Sequence, residues 1–221
     1  MKKYKFTGET KTIYLPFGTV TLHRIKAVVE FGLVKVGDLG GWIEKEENLS
    51  HEENAWVYGN AWVCGDAKVY GNAKVYGNVW VYGNAKVYGD AEVRGNAEVY
   101  GNAEVYGNAW VYGNAKVYGD AEVRGDAKVC GNAEVCGNAK VFSADHVLVI
   151  GAIGSRNDFT TFFRDKDNEI TVKCGCFLGK IDKFLEKVTQ THKDTKHALV
   201  YRTAVEVAKL QINLTEKSTR R

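Results

Sequence analysis

Long apolar runs and prolines are what this chain has little of. Pro16 is the only proline, set against twenty-four glycines. No run of eighteen apolar residues occurs, so no membrane-spanning helix is expected. Behind Met1-Lys2-Lys3 there is no apolar core of a signal peptide, and the cytoplasm is the expected compartment. The five cysteines (Cys64, Cys130, Cys136, Cys174, Cys176) are odd in number and match no zinc spacing. Cys130 and Cys136 fall in successive repeats and should face different sides, whereas a disulfide needs Cα atoms about 4.4–6.8 Å apart. Reduced cysteines and no metal site are expected. An excess of one charge is missing too. Residues 1–53 hold eight basic and eight acidic side chains and residues 54–142 eight and nine, so the net +3 comes from the fourteen and ten of residues 143–221. That excess is too small to indicate nucleic-acid binding.

What the chain does have is a repeat. From Asn54 it reads Asn-Ala-Trp-Val-Tyr-Gly, then Asn-Ala-Trp-Val-Cys-Gly, then Asp-Ala-Lys-Val-Tyr-Gly, and valine recurs at every sixth position from Val57 to Val141. Fixed-period self-similarity is the mark of a solenoid. Alanine (once Val79) lies two residues before each valine, with large or charged residues flanking the valine. This is strand alternation: Ala and Val point inward and the flanking pair outward. Gly followed by Asn or Asp then supplies a corner that tolerates positive φ. With three sides per turn, fifteen hexapeptides give five coils, a prism about 24 Å tall at ~4.8 Å per strand. Outward residues eighteen apart become neighbours. Lys74–Glu92, Glu98–Lys116, Lys116–Glu134, Lys86–Glu104 and Glu122–Lys140 are then opposite-charge pairs, and only Lys68–Lys86 and Glu104–Glu122 are like pairs. Trp62 should stack on Trp80, Tyr82, Tyr100 and Tyr118 should form one column, and Arg94 should lie between Tyr76 and Tyr112.

The open ends of a solenoid need covers. Residues 1–53 read as an N-terminal β cap, with short strands at 5–7, 12–14 and 20–22 and a turn at Gly37–Gly41. Ile43 and Leu49 begin an irregular first rung, and a two-residue excess should bulge near His51. The β-helix is expected over 54–153, because Val147 and Ile153 keep the six-residue beat. Residues 154–221 read as a small α+β domain. Phe159–Arg164 and Ile170–Leu178 form its hairpin, one helix carries Ile181, Phe184, Leu185 and Val188, and a second starts after Thr195 as N-cap. The fold class is mainly β, a parallel β-helix of about five to six coils with these two flanks.

The repeats resemble those of the hexapeptide acyltransferase superfamily, which implies a left-handed β-helix and a homotrimer with ligand clefts between subunits. The segment Gly37-Asp-Leu-Gly-Gly-Trp-Ile-Glu-Lys-Glu-Glu-Asn-Leu-Ser and the tail segments Gly154-Ser-Arg-Asn-Asp-Phe-Thr-Thr-Phe-Phe-Arg and Lys173-Cys-Gly-Cys-Phe resemble hexapeptide proteins of phages and prophages. That resemblance implies a bacterial host cytoplasm but no reaction.

Acyltransferases of this type use a histidine base. Here the repeats contain none, and only His51 and His146 at their margins are alternative catalytic residues, both expected to be exposed and structural. No Ser/His/Asp set or phosphate loop is present. A polar cluster follows the last coil: Arg156, Asn157, Asp158, Thr160, Thr161, Arg164 and Lys173, with Ser155 beside it. Guanidinium forks and hydroxyls suit phosphate oxygens, and Phe159, Phe162 and Phe163 offer a stacking surface. The competing reading makes these phenylalanines core and pairs the arginines with Asp165 or Asp167. The favoured expectation is a non-enzymatic homotrimeric binding protein without cofactor, a phage sponge that sequesters a small anionic nucleotide-type signal. Its trimer seam is placed on the face of Trp62, Trp80, Tyr82, Tyr100 and Tyr118. The alternatives are a coenzyme A-dependent acyltransferase and a structural or adaptor protein that binds another protein.

Overall fold

A six-residue unit repeats in space when it makes one short strand and one corner. Each hexapeptide does so. The computed structural model describes residues 1–15 and 18–215. Two- to four-residue strands, from Trp56–Val57 to Lys140–Val141, pair in parallel with the strand one coil on, as in Glu98↔Lys116 and Val99↔Val117. Three sheets, parallel throughout the coils, form the sides of the prism. One side stacks Ile43, Val63, Val81, Val99, Val117 and Val135, which makes six turns. Every repeat valine and nearly every alanine beside it is fully buried, because so narrow an interior admits no larger side chain. At the corners only glycine takes positive φ; the following Asn or Asp does not. These polar residues instead hydrogen-bond to their counterparts one coil on, as Asn96 does to Asn114 (3.1 Å). The expected conformational role of Asn and Asp is thus corrected to a ladder role.

Ile43 pairs with Val63 and Leu49 bridges Val69, so the irregular first rung begins where the spacing placed it. Its excess residues turn at Ser50–Asn54, with Glu53 at φ 53°. The N-terminal cap is simpler than three short strands. β1 (Tyr4–Leu15) and β2 (Gly18–Ala27) form one long antiparallel hairpin, and β3 (Leu39–Ile43) pairs antiparallel with β2 and parallel with Trp62–Val63. The expected turn at Gly37–Gly41 therefore becomes strand from Leu39 onward. Gly40 and Gly41 are there for close approach: a Cβ on Gly40 would lie 2.5 Å from Ile25 Cγ1, and one on Gly41 2.5 Å from the Ala61 carbonyl oxygen. This tight docking buries Trp56 completely and leaves Trp62 only 5 % exposed beneath Val20 and Leu22. Trp62 thus belongs to an internal core, not to an outer seam.

After a short 3-10 turn (Ala144–His146), Val147–Ile153 leaves the coil and pairs antiparallel with Asp158–Arg164, despite keeping the six-residue beat. Ile170–Cys174 and Phe177–Lys180 complete a four-stranded sheet. The expected long hairpin arm is broken by a tight turn at Gly175-Cys176, so Cys174 ends one strand and Cys176 lies in the turn. Helices α1 (Ile181–His192) and α2 (Lys196–Gln211) cover one face, packing Phe184, Val188, Tyr201, Val205 and Ala208 on Phe162 and Val172. Phe163 faces the other way, into the solenoid core.

The corners allow a paired test. Gly113→Ala and Gly131→Ala both put a side chain at positive φ (76° and 66°), which costs roughly 1–2 kcal/mol. Only at 113 does the new Cβ meet the next coil, 3.0 Å from the backbone N and O of Gly131; at 131 nothing lies within 4 Å. Gly113→Ala should therefore lose about 1–3 kcal/mol more in guanidinium unfolding. Equal losses would show that coil spacing does not depend on bare corners.

Candidate functional site

Along one side of the prism each coil donates to the next: Glu98 N–H to the Ala115 carbonyl and Lys116 N–H to that of Ala133, both at 2.9 Å. Past the last coil that acceptor is missing. Glu134 N–H donates instead to Thr161 Oγ1 at 2.9 Å. Lys166 N–H donates to the Asn138 carbonyl (3.0 Å) and Arg164 Nη1 to that of Lys140 (3.3 Å). Arg164, 3 % exposed, also lies over the Phe142 ring, whose centroid is 3.6 Å from the Arg124 guanidinium, and it donates to Asn168. Thr161 and Arg164 thus close the solenoid.

The remaining members of the expected polar cluster separate similarly. Thr160 is fully buried and donates to Cys174 Sγ (3.3 Å). Asn157 occupies the turn after Gly154 at φ 52°. Asp158 accepts the backbone N–H of Phe159 at 2.7 Å. Arg156 is exposed, its Nη1 lying across Gly175. Lys173 sits beside Thr161 in the sheet register, donates to the Gly175 carbonyl and pairs with Glu134 at 3.2 Å. Buried Asp165, the carboxylate that the competing reading offered to an arginine, accepts from Lys180, Thr171 Oγ1 (2.6 Å) and two backbone N–H groups.

Three of the seven, Asp158, Thr161 and Lys173, line a cleft of about 350 Å³ together with Phe159 and Gly175. The opposite wall is the solenoid itself, with Asn114, Lys116, Asn132 and Glu134. These four are not in the sequence-derived cluster, although the eighteen-residue register already makes 114 and 132, and 116 and 134, neighbours in the last two coils. Charge within the cleft is balanced: Lys116 pairs with Glu98 (2.9 Å) and Lys173 with Glu134, which also accepts from Tyr118 (3.2 Å). Lys116 and Glu134 are register neighbours as expected, but of the five opposite pairs theirs is the one that forms no ion pair, since Lys116 turns to Glu98 and Lys173 reaches Glu134 from the sheet. Phe159, 37 % exposed, is the one phenylalanine of the expected stacking trio left at the surface.

The histidines lie elsewhere. His51 stacks on Tyr4 (4.2 Å), its Nδ1 accepts from Lys3 N–H (3.3 Å), and burial lowers its pKa. His146 is buried, not exposed as expected, and its Nδ1 accepts from Phe142 N–H at 3.1 Å. Burial pushes the Cys64 thiol up to about 12 and raises that of Cys136, so both persist as thiols at neutral pH. Among the described residues no group of three or more His, Cys, Asp or Glu is placed to hold a metal ion, and no helix is long and apolar enough to cross a membrane.

Residues 67–83 match the family model described as YdcK Beta solenoid repeat, a stretch just short of one eighteen-residue coil. No curated protein matches the chain. The match and the fold agree on a β-solenoid repeat protein.

Thr161→Val keeps the shape of the side chain but leaves the Glu134 N–H without its acceptor. Such an orphaned donor costs about 1–3 kcal/mol, and thermal unfolding should register that loss. A variant as stable as the parent would remove Thr161 from the closing contact.

Proposed function

We propose that the protein is a non-enzymatic binding protein, assembled as a homotrimer, which holds a small anionic ligand of the nucleotide type between the solenoid end and the C-terminal sheet. The observation that carries this is the cleft. Its roughly 350 Å³ lies in the range of small-molecule sites. Two lysines come from two different rigid elements, and the Phe159 ring is available for a base to stack on. Arg156 stands beside Gly175 at the rim and can reach a phosphate group with its planar fork. In the phage setting suggested by the Gly37–Ser50 segment, such capture would sequester a nucleotide signal of host immunity. For the trimer, the support is the half-buried column of Tyr82, Tyr100 and Tyr118, with Trp80, 41 % exposed, on the same side of the prism. Aromatic surface of that extent is the kind that subunit contacts cover.

Two measurements test the proposal. Light scattering should return three times the 24.5 kDa chain mass; a chain that stays monomeric at micromolar concentration would sink the trimer. Calorimetric titration with adenosine monophosphate should detect binding, and Lys173→Ala should weaken it roughly ten- to a hundredfold, as expected for losing a hydrogen bond to a charged group of about 1.5–3 kcal/mol. Arg164→Ala should instead lower stability while the folded protein still binds. Wild-type protein that takes up neither adenosine monophosphate nor any other nucleotide at millimolar concentration would overturn the binding reading.

A further inference from the structure

The corner amides form three columns down the prism, and the columns differ. In one, Asn54 donates to Asn72 and Asn72 to Asp90, after which Asn108 donates to Asp126. In the second, Asn84 donates to Asn102 and Asn102 to Asp120. An ionised aspartate only accepts, so each of these chains of amides stops at its carboxylate. The third column contains no acid. Asn60 donates to Asn78, Asn78 to Asn96, Asn96 to Asn114 and Asn114 to Asn132, at 3.4, 3.1, 3.1 and 3.1 Å, all in one direction. Its last member, Asn132, lines the cleft.

Asn132 also ends a backbone series. The N–H groups of Asn78, Asn96 and Asn114 donate to the carbonyls of Gly95, Gly113 and Gly131 at 2.7, 2.8 and 2.8 Å. At Asn132 no further coil follows. Neither its backbone N–H nor its side-chain Nδ2 has an acceptor among the described residues. One residue therefore carries two unmatched donors at the end of four aligned amide–amide bonds, each of which polarises the next, and it lines the cleft with Lys116 and Lys173.

We infer that Asn132 is the anion-docking point of the cleft, and that a phosphate or carboxylate oxygen of the ligand takes the place of a sixth rung, accepting from the Asn132 backbone N–H and Nδ2. This rests on the cleft reading above and specifies where the anionic group lies. It also predicts a preference that charge alone does not: the bound group must offer acceptors on adjacent positions, as an oxyanion does.

The test compares adenosine monophosphate, inorganic phosphate and adenosine by calorimetry on the full chain. Wild type should bind adenosine monophosphate at least tenfold more tightly than adenosine. Asn132→Asp still accepts from Asn114 but presents a carboxylate instead of an N–H donor. It should erase that margin and abolish phosphate binding, while adenosine affinity stays within twofold of wild type. Asn132→Ala should weaken adenosine monophosphate about fivefold. Asn108→Ala removes a ladder bond in another column, away from the cleft, and should bind like wild type, which separates docking from ladder stability. If Asn132→Asp retains wild-type affinity for adenosine monophosphate while Lys173→Ala loses it, the docking point is wrong and the cleft reading stands. If wild type binds none of the three and no other nucleotide at millimolar concentration, both fall.

Discussion

In-register stacking is the constraint from which the rest of this structure follows. Every outward side chain lies against the one eighteen residues later, at the spacing of adjacent strands. Each position must therefore be compatible with a near copy of itself. Asparagine satisfies this through one donor and one acceptor side by side. Tyrosine satisfies it by parallel stacking, 4.7–4.8 Å between centroids from Tyr70 to Tyr106 and from Tyr82 to Tyr118. Lysine and glutamate cannot stack on themselves, and they alternate. Where the register brings like charges together, as in Lys68↔Lys86 and Glu104↔Glu122, each has an opposite charge on its other side or exposure to water. Lys86 turns to Glu104 and Lys140 to Glu122.

The same constraint makes the two ends the demanding parts. A coil in the middle finds its partner one turn away, whereas the first and last coils need theirs from elsewhere. At the N-terminus β1 and β2 extend one prism side as ordinary antiparallel sheet, and Gly40 and Gly41 let that sheet approach within van der Waals range of Trp56 and the Ala61 carbonyl. At the C-terminus a strand crosses the opening. It substitutes a threonine hydroxyl, a guanidinium and one backbone N–H for groups that another coil would supply. The cleft exists because this substitution is partial. Glu134 and Lys140 are served, and Asn132 is not.

Much of this was legible in the sequence, and the misreadings share a cause. The valine beat, the first rung at Ile43 and Leu49, the bulge beside His51 and both helices follow from periods that only one structure satisfies. Val147 and Ile153 deceive because six is a multiple of two: a beat of six is also a subset of plain strand alternation, so it survives the change from parallel coil to antiparallel sheet. Gly40 and Gly41 read as a turn because a glycine needed for lack of a Cβ looks the same as one needed for its φ. The closing contacts of Thr161 and Arg164 went unread because capping a backbone edge and binding an oxyanion call on the same groups. The solenoid wall of the cleft was hidden for a different reason. Asn114 and Asn132 are repeat residues like their neighbours, and only their position relative to the missing coil sets them apart.

That position also bears on how a ligand would be held. The lysines of the cleft are already ordered: Lys173 pairs with Glu134 and Lys116 with Glu98, with side chains 16 % and 40 % exposed. Partly exposed ion pairs of this kind contribute on the order of 0–1 kcal/mol, so exchanging a carboxylate partner for a ligand oxyanion gives up little, and little rotamer freedom is lost in doing so. The Asn132 donors differ in kind. They are fixed by the ladder and the backbone, and water is their only competitor. A site that combines exchangeable cations with fixed donors draws affinity from the first and geometric selectivity from the second. Both arise from the point at which a periodic stack is stopped before its last hydrogen bonds are made.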